Sequence, residues 1–126
     1  MIKVEDVIVA RVLYYYPVVL ASVGILVHVL GTLGLYQTQM ARSLHMIIYA
    51  AAIMVLIGLL NKSLWGYILA LCVLLEQIIR QGYWIFKTLP QGQIILPLMI
   101  CTLVSLALAV LIFKPRLFIS PRQRGV

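Results

Sequence analysis

Four polar residues interrupt one apolar stretch of the chain. In the segment LEQIIRQGYW, Glu76, Gln77, Arg80 and Gln81 stand at i, i+1, i+4 and i+5. Successive helical residues turn by about 100°, so on a helix these four share an arc of roughly 140°. Leu71, Leu74, Leu75, Ile78 and Ile85 fall opposite. Glu76 precedes Arg80 by one turn, the favourable order for an intrahelical ion pair. Such a pair either fastens helices together or handles a proton or a substrate. The fastening role leads, because an acid with its own arginine neighbour is poorly placed to titrate.

The elements that carry these residues follow from composition. Of 126 residues, 64% are apolar and 10% charged, and mean hydropathy is +1.12. Water-soluble domains are about half apolar and a quarter charged. The expected class is therefore an all-α integral membrane protein, an up-and-down bundle of four transmembrane helices with both termini cytoplasmic. Stretches of about 18 or more residues with few charges mark the spans. They run over 14–36, 44–60, 64–86 and 94–113, with Pro17 and Pro97 in opening turns and a basic cytoplasmic tail over 114–126. Everything belongs to one transmembrane domain. Short connections make consecutive helices antiparallel neighbours. A β-barrel would need alternating polarity, which is missing.

Lysine and arginine set the orientation, since cytoplasmic loops retain an excess of them. One side would hold Lys3, Arg11, Lys62, Lys114, Arg116, Arg122 and Arg124, the other Arg42 and Lys87. Tyr14, Tyr15, Tyr16, Trp65, Tyr67 and Phe113 read as one aromatic belt, and Tyr36, Tyr83 and Trp84 as the other. The stretch from Ile2 to Leu13 reads as an interfacial helix.

Depth arithmetic at about 1.5 Å per residue places His28, Tyr49, Glu76, Gln77, Arg80 and Thr102 in one polar layer in the outer half of the bundle, with Gln81 on the same α-helical arc. His28 and His45 invite a test as paired axial haem ligands. By the same arithmetic His45 lies within a turn of the outer boundary and His28 two turns or more below it, so they should not face each other. No cofactor and no metal are expected. Cys72 and Cys101 read as packing residues at different depths, without a disulfide.

The tail KPRLFISPRQRGV should be irregular, with Lys114, Arg116, Arg122 and Arg124 drawn to anionic lipid headgroups. No stacking platform accompanies the net charge of +7, so nucleic acid is not an expected partner. No nucleotide loop, metal-protease motif or nucleophile elbow occurs, and no second acid accompanies Glu76 in the spans, so no enzymatic activity is expected.

In length and span number the chain resembles the small multidrug transporters. It departs from them in lacking an acid in its first helix and in its strong lysine/arginine bias, and is not placed among them. The leading expectation is a non-enzymatic subunit or accessory protein, whose polar third-helix face meets another membrane protein or a second copy. The alternative is a small proton-coupled carrier using Glu76, Arg80 and His28. The expected location is a plasma membrane, of the bacterial inner-membrane type.

Overall fold

The computed structural model describes residues 3–35, 41–92 and 94–123. The described residues form four long helices: α1 (Val4–Thr32), α2 (Arg42–Leu60), α3 (Leu64–Thr88) and α4 (Ile95–Phe113). Single 3-10 turns follow α3 (Leu89–Gln91) and α4 (Pro115–Leu117). No strand occurs among the described residues. All four helices are long and apolar enough to cross a membrane. They pack in chain order, α1 on α2, α2 on α3 and α3 on α4, and α4 meets α1 through the loosest of the four seams.

The sequence and the structure part at the start of the first helix. Helix α1 begins at Val4 and runs unbroken through Pro17, so no separate interfacial helix precedes it and Pro17 sits mid-helix rather than in an opening turn. Glu5 and Asp6 lie in its first turn, where carboxylates complement the exposed N–H groups. At 1.5 Å per residue, 29 residues extend about 44 Å, well beyond the roughly 30 Å hydrocarbon core of a bilayer.

Two helices end by the same device. After Thr32 the chain turns left-handed at Gly34 (φ 74°). Gly34 N–H donates to Gly31 O and Leu35 N–H to Leu30 O, both at 3.1 Å. This is a Schellman closure, which satisfies carbonyls that the last turn would otherwise strand. After α2, Lys62 takes the left-handed position (φ 49°). Its N–H donates to Leu59 O and that of Ser63 to Gly58 O. Ser63 then caps the next helix, its Oγ accepting from Gly66 N–H at 3.3 Å and donating to Gly58 O at 3.1 Å.

So tight a corner requires glycine at the crossing. A Cβ on Gly58 would fall against Gly66 Cα, and a Cβ on Gly66 would lie 2.9 Å from Gly58 O. The two backbones touch directly, as small-residue contacts permit between apolar helices.

The tightest packing lies at the end of the bundle that holds the start of α1 and the close of α4, here the terminal end. Val18, Val55, Leu59, Ala70 and Leu111 form a buried cluster that Phe118 joins. The tail is therefore not wholly irregular. After its 3-10 turn, Phe118 is fully buried, its ring lies 5.7 Å from that of Tyr14, and Ser120 N–H donates to Lys62 O at 2.9 Å. Lys114, Arg116 and Arg122 remain exposed, while Arg124 lies outside the described residues.

Candidate functional site

At the far end, away from the termini, His28 and His45 face each other. Their Nδ1 atoms are 2.9 Å apart, so one ring donates its N–H and the other accepts. The ring centroids are 5.1 Å apart. This overturns the expectation that the two histidines lie at different depths. Helix α1 stops at Thr32, so His28 is in its last turns, and α2 starts at Arg42, so His45 is in its first. Counting from residue 36 as the end of the helix had sunk His28 by a turn too many. Tyr36 itself lies outside the described residues.

Two ring nitrogens already sharing a hydrogen-bond distance leave no room for an iron between them. Residues present do not fit a bis-histidine haem in this arrangement. No cluster of three or more His, Cys, Asp or Glu side chains is set to hold a metal among the described residues. Cys72 and Cys101 are both free thiols.

The histidine pair borders a cavity of about 640 Å³ between the four helices. That volume is in the range of about 300–1,000 Å³ typical of small-molecule sites. Its far end is lined by His28, His45, Gln77, Gln81, Trp84 and Thr88. Toward the terminal end the wall is apolar: Leu20, Ala21, Val55, Leu59, Val73 and Leu111. Gly24 also lines it, and a Cβ there would meet nothing within 4 Å. The cavity is thus two-sided along its length, polar at one end and hydrocarbon at the other.

Its mouth can be located from exposure. Val23 and Val27 on α1 and Leu96 and Leu103 on α4 line the cavity, yet they are 50%, 42%, 66% and 42% exposed. Side chains that are at once wall and surface mark an opening, here along the loose α1–α4 seam. Below it, Tyr16 on α1 closes the seam by donating to Leu103 O at 2.7 Å.

The polar arc of α3 divides. Gln77 and Gln81 line the cavity. Arg80 Nε meets Glu76 Oε1 at 3.0 Å, with Arg80 12% and Glu76 49% exposed, so the cation is the inner member and the acid the outer. The Arg80 charge reaches both histidine rings. Lys87 lies over the Trp84 ring, its Nζ 5.1 Å from the centroid. Tyr49 is half-buried and Thr102 exposed, and neither lines the cavity. The Thr102 hydroxyl donates to Leu98 O of its own helix. The six residues expected in one layer therefore separate into cavity wall (His28, Gln77), ion pair (Glu76, Arg80) and two that stand apart from the cavity.

Residues that the sequence placed elsewhere also take part. His45, Trp84 and Thr88 complete the polar end, and Thr88 Oγ1 donates to Trp84 O at 2.7 Å. Tyr14 and Tyr67, expected as belt residues, donate across helices to Leu59 O (3.0 Å) and Leu111 O (2.8 Å). Both carbonyls lie in the last turn of their helices, where the intrahelical donor is lost.

Fold and site together define a helical protein with four candidate membrane spans around a cavity that opens between α1 and α4. No family model, no curated protein and no solved structure matches the chain.

Proposed function

We propose that this chain is a multi-pass plasma-membrane protein, with both termini cytoplasmic, that binds or carries a lipid-soluble molecule in its central cavity and has no enzymatic activity. The observation that carries this reading is the cavity itself, with a polar end, an apolar body and an apolar mouth. A pure structural subunit would fill that space with side chains, since interiors pack to near-crystalline density. Exposed Phe86, Ile95 and Phe113, at 84%, 71% and 78%, agree with a hydrocarbon surrounding, because soluble monomers rarely show such continuous apolar surface. The lysine and arginine distribution supports the orientation. The reading keeps the carrier and assigns Gln77, Gln81 and the histidines to the ligand, in place of a titrating Glu76.

Photolabelling tests it. With the full chain in lipid nanodiscs, a neutral long-chain alcohol bearing a diazirine is expected to label cavity segments of α1 and α4, and excess unlabelled alcohol should compete. Gly24→Phe, which extends a ring into open space, is expected to lower this labelling about tenfold, a change of about 1.4 kcal/mol in binding, while helical content and elution volume stay unchanged. Uniform, non-competable labelling over the outer faces would refute the cavity reading.

A second reading rests on Glu76. A carboxylate half exposed on the outer side of its ion pair is costly against lipid and marks a contact for another membrane helix or a second copy of this chain. Glu76→Gln is then expected to reduce recovery of a stoichiometric partner in mild-detergent purification without changing cavity labelling. Undiminished recovery would exclude Glu76 as that contact.

A further inference from the structure

We infer that the cavity's ligand is a long-chain fatty carboxylate, which enters from the bilayer between α1 and α4 and lies with its carboxylate against Gln77, Gln81 and Trp84. The inference rests on the cavity reading above and adds the chemical class and the direction of the ligand. Three observations carry it.

The first is the mouth. Val23, Val27, Leu96 and Leu103 offer neither a charge nor a hydrogen bond, so the opening suits a molecule already dissolved in hydrocarbon. The second is shape. From Pro17 to His28 the lining of α1 spans about 16 Å at 1.5 Å per residue, and it is apolar up to His28. A long and mostly apolar space with its polar groups toward one end matches an alkyl chain with a polar terminus.

The third is charge and hydrogen-bonding type at that terminus. Gln77 and Gln81 carry amide N–H donors and Trp84 an indole N–H, groups suited to carboxylate oxygens. Among the described residues no acidic and no lysine or arginine side chain lines the cavity itself. In the described far half, Arg42, Arg80 and Lys87 face one carboxylate, Glu76, and Lys87 lies directly over the Trp84 ring. The far end therefore carries excess positive charge around its donors, at exposed Arg42 and Lys87 outside the lining, and a weakly hydrated region strengthens its pull on an anion. An amine head would be repelled by those cations, and a neutral ester would forgo the attraction.

Trp84 supplies the test. The chain has two tryptophans, and Trp65, half exposed at the terminal end, is replaced by Trp65→Phe so that emission reports on Trp84 alone. The full chain is placed in nanodiscs of zwitterionic lipid at a pH where the fatty acid is ionised. Palmitic acid with a nitroxide near its carboxylate is expected to quench Trp84 saturably, and the same acid labelled near its methyl end to quench it several-fold less. The methyl ester of the first probe is expected to need about tenfold more for half-saturation. The double variant Gln77→Leu, Gln81→Leu should bring acid and ester together, with helical content and elution volume unchanged.

Equal potency of acid and ester in the parent chain overturns the carboxylate assignment. Stronger quenching by the methyl-end label overturns the orientation. Displacement of the probe by an anionic two-chain phospholipid at lower mole fraction than by palmitate overturns the single-chain assignment. In each case competable labelling by the neutral alcohol shows that the cavity reading stands, and its loss shows that the cavity reading has failed as well.

Discussion

Gly66→Ala is expected to destabilise the folded chain by about 3 kcal/mol, near the upper end of the range for overpacked interiors. One methyl group does this because nothing flexible stands in its way. It would lie against the Cα, carbonyl carbon and carbonyl oxygen of Gly58, and backbone cannot change rotamer. The corner admits no easy retreat either: Ser63 joins Gly58 O to Gly66 N–H, so separating the helices breaks the cap as well as the contact. Gly58→Ala meets the same obstacle from the other side. The double variant should therefore fall well short of the sum of the two, since one contact cannot be lost twice. Gly82→Ala is the control. A Cβ at Gly82 meets nothing within 4 Å, and alanine is favoured over glycine in a helix by about 1 kcal/mol. Denaturant titration in mixed micelles orders the four chains. Equal stability of the Gly66 and Gly82 variants would show that the helices do not cross at these glycines.

Segments of this chain were legible because the solvent argument is strong: a run of apolar residues without charge has one stable way to close its backbone hydrogen bonds in hydrocarbon. Leu64 and Phe113 as helix limits follow almost from charge and loop residues alone, and the fourth helix starts at Ile95, one residue after the expected 94. The first helix was harder. Its polar N-terminal residues resemble an interfacial segment by period, but Glu5 and Asp6 at a helix start are simply favourable there, and the helix has no reason to break before Tyr14. Its other end is set by the left-handed turn at Gly34, which lies two residues inside the expected span.

That one boundary controlled the site. A polar layer is reckoned by counting from helix ends, and an error of a turn moves a side chain by about 5 Å. With α1 ending at Thr32, His28 rises to meet His45. The polar arc of α3 was visible from spacing, yet spacing alone does not say which neighbour each member meets. Gln77 and Gln81 border the cavity while Glu76 turns outward, a division set by how α3 rolls against α2 and α4. The cavity left no signal of its own in the sequence. An absence of side-chain volume between four helices is a property of their spacing, and Gly24, open on its cavity side, resembles any packing glycine.

Phe118→Ala is expected to release the tail, with cleavage by trypsin after Arg116 rising about a hundredfold in detergent micelles. Burial of a large aromatic is worth about 3–5 kcal/mol by truncation, and where opening is fast relative to cleavage, proteolysis follows the population of the open form. Even 2.8 kcal/mol of lost docking, about twice the 1.4 kcal/mol that makes a factor of ten, gives the stated hundredfold. The effect should concentrate on the tail because Phe118 also carries its ring contact with Tyr14, leaving the Ser120 N–H to Lys62 O bond and the smaller Leu117 and Ile119 side chains to hold it. Phe118 also joins the cluster of Val18, Val55, Leu59, Ala70 and Leu111 that closes the cavity's apolar end. Loss of that ring should therefore loosen the closed end while leaving Trp84 and the histidine pair, at the far end, undisturbed. Phe118→Leu keeps most of the apolar volume and should restore resistance to within a few-fold of the parent chain. Equal cleavage rates for the parent and the alanine variant would show that Phe118 does not hold the tail, and that the terminal end is sealed without it.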